Sequence, residues 1–358
     1  MYRNTKNVPY YVFGRGSLAQ LGDLLNPRRE AVDGPVVYFV DHFFRDHELI
    51  GRLPMEKGDQ LHFVDSSSEP EVTRIDAFKE AVSAADSRTP CCVVGIGGGN
   101  ALDTAKAVAN LLTNPGKAED YQGWELVKNP AVYKIGIPTL SGTGSECSRT
   151  CVLTNIPKNL KLGMNSDYTV YDQLLLDPDL LATVPRDQYF YTGIDTFMHC
   201  VESLQGSYRN AIIDAFSVRA VQLCEEIFLS DDMMSEENRE KMMIASYIGG
   251  MAAGNVGVIH PFSAGLGVVL HVAHGLGNCL ALNVLGDIYP KEYKQFRTMI
   301  ERQGVNRPTG ICKDLTEEQY EGLYRGCIVH EKPLTNALGP DFKQILTREN
   351  LIERYKSI

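Results

Sequence analysis

The chain has 358 residues, with 35 Lys plus Arg against 45 Asp plus Glu and a formal net charge of −10. That acidic balance excludes most nucleic-acid binders, whose surfaces carry basic charge. With 44% hydrophobic and 22% charged residues the composition is neither that of a disordered chain nor that of a fibre, and the length predicts about two domains.

The opening run from Met1 to Pro9 lacks the apolar core of a signal peptide, and no segment approaches the ~18 uninterrupted apolar residues of a membrane span. Nine cysteines, at 91, 92, 147, 151, 200, 224, 279, 312 and 327, show no paired zinc-type spacing and read as reduced thiols. The expectation is a soluble cytoplasmic protein that associates with neither membrane nor nucleic acid.

In chain order, Val36–Val40 is a predicted strand ending at Asp41, and Cys91–Ile96 is another, ending at Gly97-Gly-Gly99. A helix follows over 101–112. Lys134–Pro138 is a further strand running into Thr139-Leu-Ser-Gly-Thr-Gly-Ser-Glu146, and Cys151–Thr154 with Leu162–Met164 predicts a hairpin-like pair. Alternation of β-branched runs with helical patterns is the mark of βαβ units and a parallel sheet. After Asp177-Pro178 the pattern becomes helical, over 192–205, 211–229 and 236–253. The predicted fold class is therefore α/β, with a parallel-sheet domain over residues 1–180 and an all-helical domain over residues 181–358. A ligand cleft between the two is the expectation.

Gly97-Gly-Gly-Asn100 follows a strand and opens a helix, which offers bare amides and a helix N-terminus to a pyrophosphate. It is not the G-x-G-x-x-G fingerprint, and a tight turn without a ligand fits three glycines equally well. Asp41, at the end of the preceding strand, could accept from both ribose hydroxyls and repel a 2′-phosphate, which favours NAD over NADP; taken alone it also reads as a solvated loop aspartate. Ser141-Gly-Thr-Gly-Ser145-Glu146 is a second glycine and hydroxyl loop at a strand end.

Asp195 and His199 stand one helical turn apart, the spacing that two ligands of one metal require. His260, His271 and His274 lie downstream. On one straight helix His260 and His274 would be about 21 Å apart and could not share an ion, so a break is needed, and Gly265 and Gly267 are the candidates to supply it. One carboxylate and three imidazoles, Asp195, His199, His260 and His274, suit Fe²⁺ or Zn²⁺. Each histidine taken singly also fits a satisfied core residue.

These motifs together, Gly97-Gly-Gly-Asn-Ala-Leu-Asp103-Thr-Ala-Lys106, Pro138-Thr-Leu-Ser-Gly-Thr-Gly-Ser-Glu146, Asp195-x-x-x-His199, and His260 with His274-Gly275, resemble the iron-containing (group III) alcohol dehydrogenases over nearly the whole chain. The resemblance implies the dehydroquinate synthase-like architecture, a dinucleotide-binding α/β domain followed by a helical metal-binding domain. It implies NAD contacts at Asp41, Gly97, Gly98, Gly99, Asn100, Asp103, Thr139, Leu140, Ser145 and Lys161. Metal ligation would fall on Asp195, His199, His260 and His274. Many members carry a histidine one turn after the third ligand, credited with proton transfer; here that place is Ala264, and His271 is the candidate to take over the role.

The implied activity is metal-assisted, NAD-linked oxidation of a primary alcohol. Within the family the likeness points to the terminal hydroxyl of 3-deoxy-manno-octulosonate in lipopolysaccharide sugar biosynthesis, ahead of a PLP-dependent aminotransferase. A sugar acid calls for a cationic partner, and Arg149 and Arg209 are the candidates. A homo-oligomer is the family expectation. The rivals are a dehydrogenase or aldehyde reductase of small aliphatic substrates, non-redox sugar-ring chemistry of the dehydroquinate synthase kind, and an NAD-binding regulatory partner of an aminotransferase.

Overall fold

The computed structural model describes residues 6–158 and 160–358, so residues 1–5 of the opening run lie outside the description. It divides into two compact units. The first holds the chain to Leu140 with Ser145–Ile156 and Leu162–Thr183; the second holds Ser141–Gly144, Pro157–Lys161 and Val184–Ile358.

Up to residue 176 the elements run β1 (Tyr10–Phe13), α1 (Leu21–Ala31), β2 (Val36–Asp41), β3 (Gln60–Val64), α2 (Val72–Ala85), β4 (Cys92–Gly97), α3 (Gly99–Leu111), β5 (Gly123–Trp124), β6 (Lys134–Pro138), β7 (Thr150–Asn155), β8 (Leu160–Asn165, its first two residues counted with the second unit) and β9 (Gln173–Leu176). Six strands form one sheet in the order β1-β9-β6-β4-β2-β3, and β5, β8 and β7 form a small second sheet. In the large sheet β2 pairs in parallel with β3 and β4, β4 with β6, and β9 with β6 and β1. Parallel strands need crossovers that cover both faces, so their inner residues are apolar without a break. Val36 to Val40 are accordingly all fully buried. They still alternate: Val37 and Phe39 pack with α2 and α3, whereas Val36, Tyr38 and Val40 pack with α1 on the other face. Helix α3 lies so close to β4 that a Cβ on Gly95 would sit 2.8 Å from the Ala105 methyl and 2.5 Å from the Tyr171 hydroxyl.

The second unit contains ten helices among the described residues: α4 (Arg186–Gln205), α5 (Ala211–Phe228), α6 (Glu236–Gly249), α7 (Ile259–Leu270), α8 (His274–Val284), α9 (Pro290–Gln303), α10 (Glu317–Ile328), α11 (Glu331–Leu338), α12 (Phe342–Ile345) and α13 (Arg348–Lys356). Helix α4 is central and packs against α5, α6 and α8; from Thr192 to Ser203 every one of its residues is buried.

The break between His260 and His274 exists, but the two glycines do not make it. Helix α7 runs through Gly265 and Gly267 and ends at His271, which takes the left-handed conformation at φ 55°. Gly265 serves packing instead: a Cβ there would come within 2.5 Å of the Tyr355 hydroxyl and 2.8 Å of the Leu323 carbonyl, so its hydrogen lets α10 and α13 approach α7. His274 then opens α8. Among the described residues no single helix is long and apolar enough to cross a membrane, and all nine cysteines are unpaired and buried.

Candidate metal centre and dinucleotide loop

Four side chains of the second unit converge. Asp195, His199, His260 and His274 each offer an atom within 4.8 Å of the others. Asp195 and His199 come from one face of α4, His260 from the first turn of α7 and His274 from the first residue of α8. The left-handed turn at His271 redirects the chain so that the last two meet. Around the carboxylate, His260 Nε2 lies 3.2 Å and His199 Nε2 3.8 Å from Asp195 Oδ1, and His274 Nε2 lies 3.6 Å from Oδ2. Gly275 is required beside His274, because a Cβ would stand 2.4 Å from the Tyr191 carbonyl of α4.

Further residues hold the four in place. Glu202, one turn beyond His199 and fully buried, lies 2.5 Å from His260 Nδ1 and also accepts from the Ile259 amide and the Tyr289 hydroxyl. Asn278, one turn after His274, donates to Asp195 Oδ1 at 2.6 Å. The reading of the sequence missed both. Their only signal was spacing, since 195, 199 and 202 share a helix face, as do 274 and 278.

The electrostatics suit a cation. Burial works against the charge of Asp195, but the imidazoles of His199, His274 and His260 outweigh it and hold the carboxyl well below the usual range. Its Oδ2 and His199 Nδ1 are buried without a hydrogen-bond partner, and leaving a buried carboxylate oxygen unmatched costs free energy that a bound cation would offset. Burial drives His199 down to about 3, so its ring is neutral and its nitrogens are free to act as donors to a cation. At His260 burial also lowers the pKa, but Glu202 and Asp195 win and push it up to about 9. Glu202 holds the proton on Nδ1 and leaves Nε2 facing Asp195, the carboxylate–histidine arrangement of metal sites. The donor set therefore fits a divalent ion such as Fe²⁺ or Zn²⁺.

His271, expected to handle the proton, is outside this group. It is exposed and caps α7. The two arginines expected to meet a substrate carboxylate are also engaged elsewhere: Arg149 pairs with Glu125 and Asp167 at 2.7 Å each, and the exposed Arg209 pairs with Asp214 and donates to the Leu204 carbonyl. Each has a carboxylate close by in its own unit, which satisfies its charge locally.

In the first unit Gly97 ends β4 at φ 152° and α3 starts at Gly99 without a side-chain cap, so its first-turn amides are uncapped. A Cβ on Gly97 would stand 2.9 Å from Asp41 Cβ, so only glycine lets these two strand ends lie together. Asp41 accepts from the Phe43 amide and from Ser66 Oγ at 2.8 Å. Asn100 donates to the Ser68 carbonyl and so ties the loop after β3 to α3. The Thr139 amide donates to the Gly97 carbonyl at 3.0 Å, and Leu140 packs against Gly98.

Asp103 and Ser145 face each other at 2.5 Å, with the second Asp103 oxygen accepting from the Val152 amide. Lys106, fully buried, lies 3.2 Å from Asp103 and donates to the Ser145 carbonyl at 2.8 Å. Asp103, Lys106 and Ser145 thus fix the second loop on α3. Lys161 belongs to the second unit, where its ammonium lies 3.9 Å from the point a Cβ on Gly267 would occupy.

Comparison with known proteins agrees with this layout. The family model for iron-containing alcohol dehydrogenase matches residues 9–178, and that for the C-terminal part of the Fe-containing alcohol dehydrogenase family matches residues 189–322. A sulfoacetaldehyde reductase of Bilophila wadsworthia is 34% identical over 220 residues, 60% of this chain and 56% of the relative. An NAD-dependent methanol dehydrogenase of Bacillus methanolicus is 29% identical over 278 residues, 75% of this chain and 71% of the relative. The chain thus matches little more than half the length of the first of these and about seven-tenths of the second.

Among solved structures, a 1,3-propanediol oxidoreductase superposes with TM-score 0.84 at 19% identity, covering 99% of each chain. A sulfoacetaldehyde reductase from Bifidobacterium kashiwanohense, in complex with NAD⁺, gives TM-score 0.80 at 24% identity over 99% of this chain and 98% of that one. At these identities the likeness establishes the fold, a parallel-sheet unit followed by a helical one. With both halves matched in order, the chain belongs to the iron-containing alcohol dehydrogenase family, oxidoreductases that use NAD and a divalent metal.

Proposed function

We propose that this protein interconverts a primary alcohol and its aldehyde with NAD and a divalent cation held by Asp195, His199, His260 and His274. The observation that carries this reading is the convergence of one carboxylate and three imidazoles within 4.8 Å. Such a cation would supply Lewis acidity toward a substrate hydroxyl, and bound NAD would supply the hydride acceptor. The chain's own contribution is positional. Glu202 orients His260, Asn278 fixes Asp195, and the carboxylate offsets part of the ion's charge. On the cofactor side the uncapped amides of Gly99 and Asn100 would hold the pyrophosphate, and Asp41 would take the adenosine ribose and disfavour a 2′-phosphate. Thr139, Leu140 and Ser145 form the second wall, which Asp103 steadies.

The substrate we favour is the C8 hydroxyl of 3-deoxy-manno-octulosonate, whose aldehyde a PLP aminotransferase would consume in lipopolysaccharide sugar biosynthesis. Support comes from the likeness of the motifs. A second reading, a dehydrogenase of small aliphatic alcohols, draws its support from the methanol dehydrogenase relative.

Elemental analysis of the purified protein together with NADH formation tests both readings. About one equivalent of Fe or Zn with turnover of 3-deoxy-manno-octulosonate is the expected result. Turnover of methanol, propanol or butanol alone would favour the second reading. A metal-free, inactive protein would sink both and leave an NAD-binding regulatory partner of the aminotransferase.

A further inference from the structure

We propose that the second unit carries, over the His260–Ala264–Gly267 face of α7, a subsite for the anionic end of the substrate, walled by Lys161 and His330. This rests on the dehydrogenase reading and narrows its substrates to hydroxy acids.

Positions 260, 264 and 267 are separated by four and three residues and so share one face of α7. Beyond His260 that face carries only a methyl group and a hydrogen. The Lys161 ammonium lies over Gly267, at 3.9 Å from the site of an absent Cβ. His330 stands at the junction of α10 and α11, both of which pack against α7. Its Nε2 is buried and has no hydrogen-bond partner. Burial, then the positive fields of Lys161 and His260, push His330 down to about 4. The charged groups acting on it are thus both basic.

With its pKa held down, His330 is a neutral ring beside the field of Lys161, and its buried nitrogen without a partner costs free energy. A carboxylate or sulfonate supplies the missing partner: it accepts from the His330 ring N–H, and the Lys161 ammonium attracts its charge. Lys161 is also among the residues that the family likeness implies for NAD, and an ammonium with three donors can serve a cofactor hydroxyl and a substrate anion together. An alcohol whose far end is charged would therefore be held at two points, whereas 1-propanol would be held at one.

The test compares the metal-loaded enzyme with His330→Leu, His330→Gln and Ala264→Leu, on 3-hydroxypropanoate and on 1-propanol, two substrates of the same chain length. His330→Leu is expected to raise KM for 3-hydroxypropanoate about tenfold more than KM for 1-propanol, with kcat shifted by less than about threefold. His330→Gln, which keeps a donor and an acceptor, should recover part of that loss, and Ala264→Leu should mimic His330→Leu by filling the face. Calorimetric titration of 3-hydroxypropanoate into the metal-loaded protein without NAD should show binding that His330→Leu weakens by a similar factor.

Equal changes in KM for both alcohols, or unchanged calorimetric binding in every variant, would overturn the proposal. If His330→Leu does not fold, the other two variants decide. Should the parent enzyme turn over neither alcohol, the dehydrogenase reading fails, and the calorimetric comparison still judges the subsite by itself.

Discussion

Glu202 Oε2 lies 2.5 Å from His260 Nδ1, with the Glu202 side chain fully buried. The contact decides which nitrogen of His260 is turned toward Asp195. Replacing Glu202 by Gln keeps the shape but removes the charge. Metal affinity, measured by competition with a chelator, should fall about 10- to 100-fold, with the helical content unchanged. An unaltered affinity would show that His260 is oriented by its backbone alone.

The same contact predicts a pH dependence. His260 has a folded pKa raised to about 9, above its unfolded value near 6.5. Its contribution to the stability of the metal-free protein is complete below about pH 6.5 and is lost as pH rises through about 9. His199, lowered to about 3, works in the opposite sense: its contribution is present above about pH 6.5 and is lost as pH falls toward 3. Denaturant titrations of metal-free protein should therefore show these two histidines favouring a maximum near pH 6.5. Excess Zn²⁺ should remove the alkaline decline, because ligation replaces the proton on His260 Nε2. A decline unaffected by zinc would mean that other groups set it.

Gly275 tests the placement of His274, the fourth of the converging side chains. With the Tyr191 carbonyl 2.4 Å from the place of its Cβ, Gly275→Ala must displace the start of α8, and His274 with it. We expect metal affinity to drop at least about tenfold and stability by about 2 kcal/mol or more. Both are read from chelator competition and urea unfolding of the metal-free protein. Gly254→Ala, where a Cβ meets nothing within 4 Å, is the control.

Asp41 tests cofactor choice. Its carboxylate accepts from Ser66 and the Phe43 amide at the end of β2. Asp41→Ala should lower KM for NADP relative to NAD by about tenfold, since removing one repelled charge near a phosphate is worth roughly 1–2 kcal/mol. Steady-state kinetics with both cofactors check this. An unchanged ratio would place the ribose elsewhere.

The parallel sheet was readable because its strands are short β-branched runs ending in Asp41, Gly97 and Pro138, and helix-period patterns mark α4 to α6. The break after α7 was harder. Glycine is the usual signal, yet Gly265 is there to admit Tyr355 and Leu323, and the turn falls to His271, whose left-handed backbone has no sequence signature. Glu202 and Asn278 were hidden for a different reason. A buried acid or amide looks like any polar residue on an amphipathic helix until a partner from another helix is seen beside it. Arg149 and Arg209 misled in the converse way, because their carboxylate partners lie 18 and 5 residues off in sequence and not at a ligand site.

The order of the four converging side chains along the chain has a consequence for biosynthesis. Asp195 and His199 are made first, and His274 follows 75 residues after His199. At translation rates of roughly 5–20 residues per second that interval is about 4 to 15 s. During it a carboxylate and an imidazole stand on a nascent α4 without their partners, able to hold a passing cation only loosely. A complete four-donor set can therefore exist only after the chain has turned at His271 and His274 has been added.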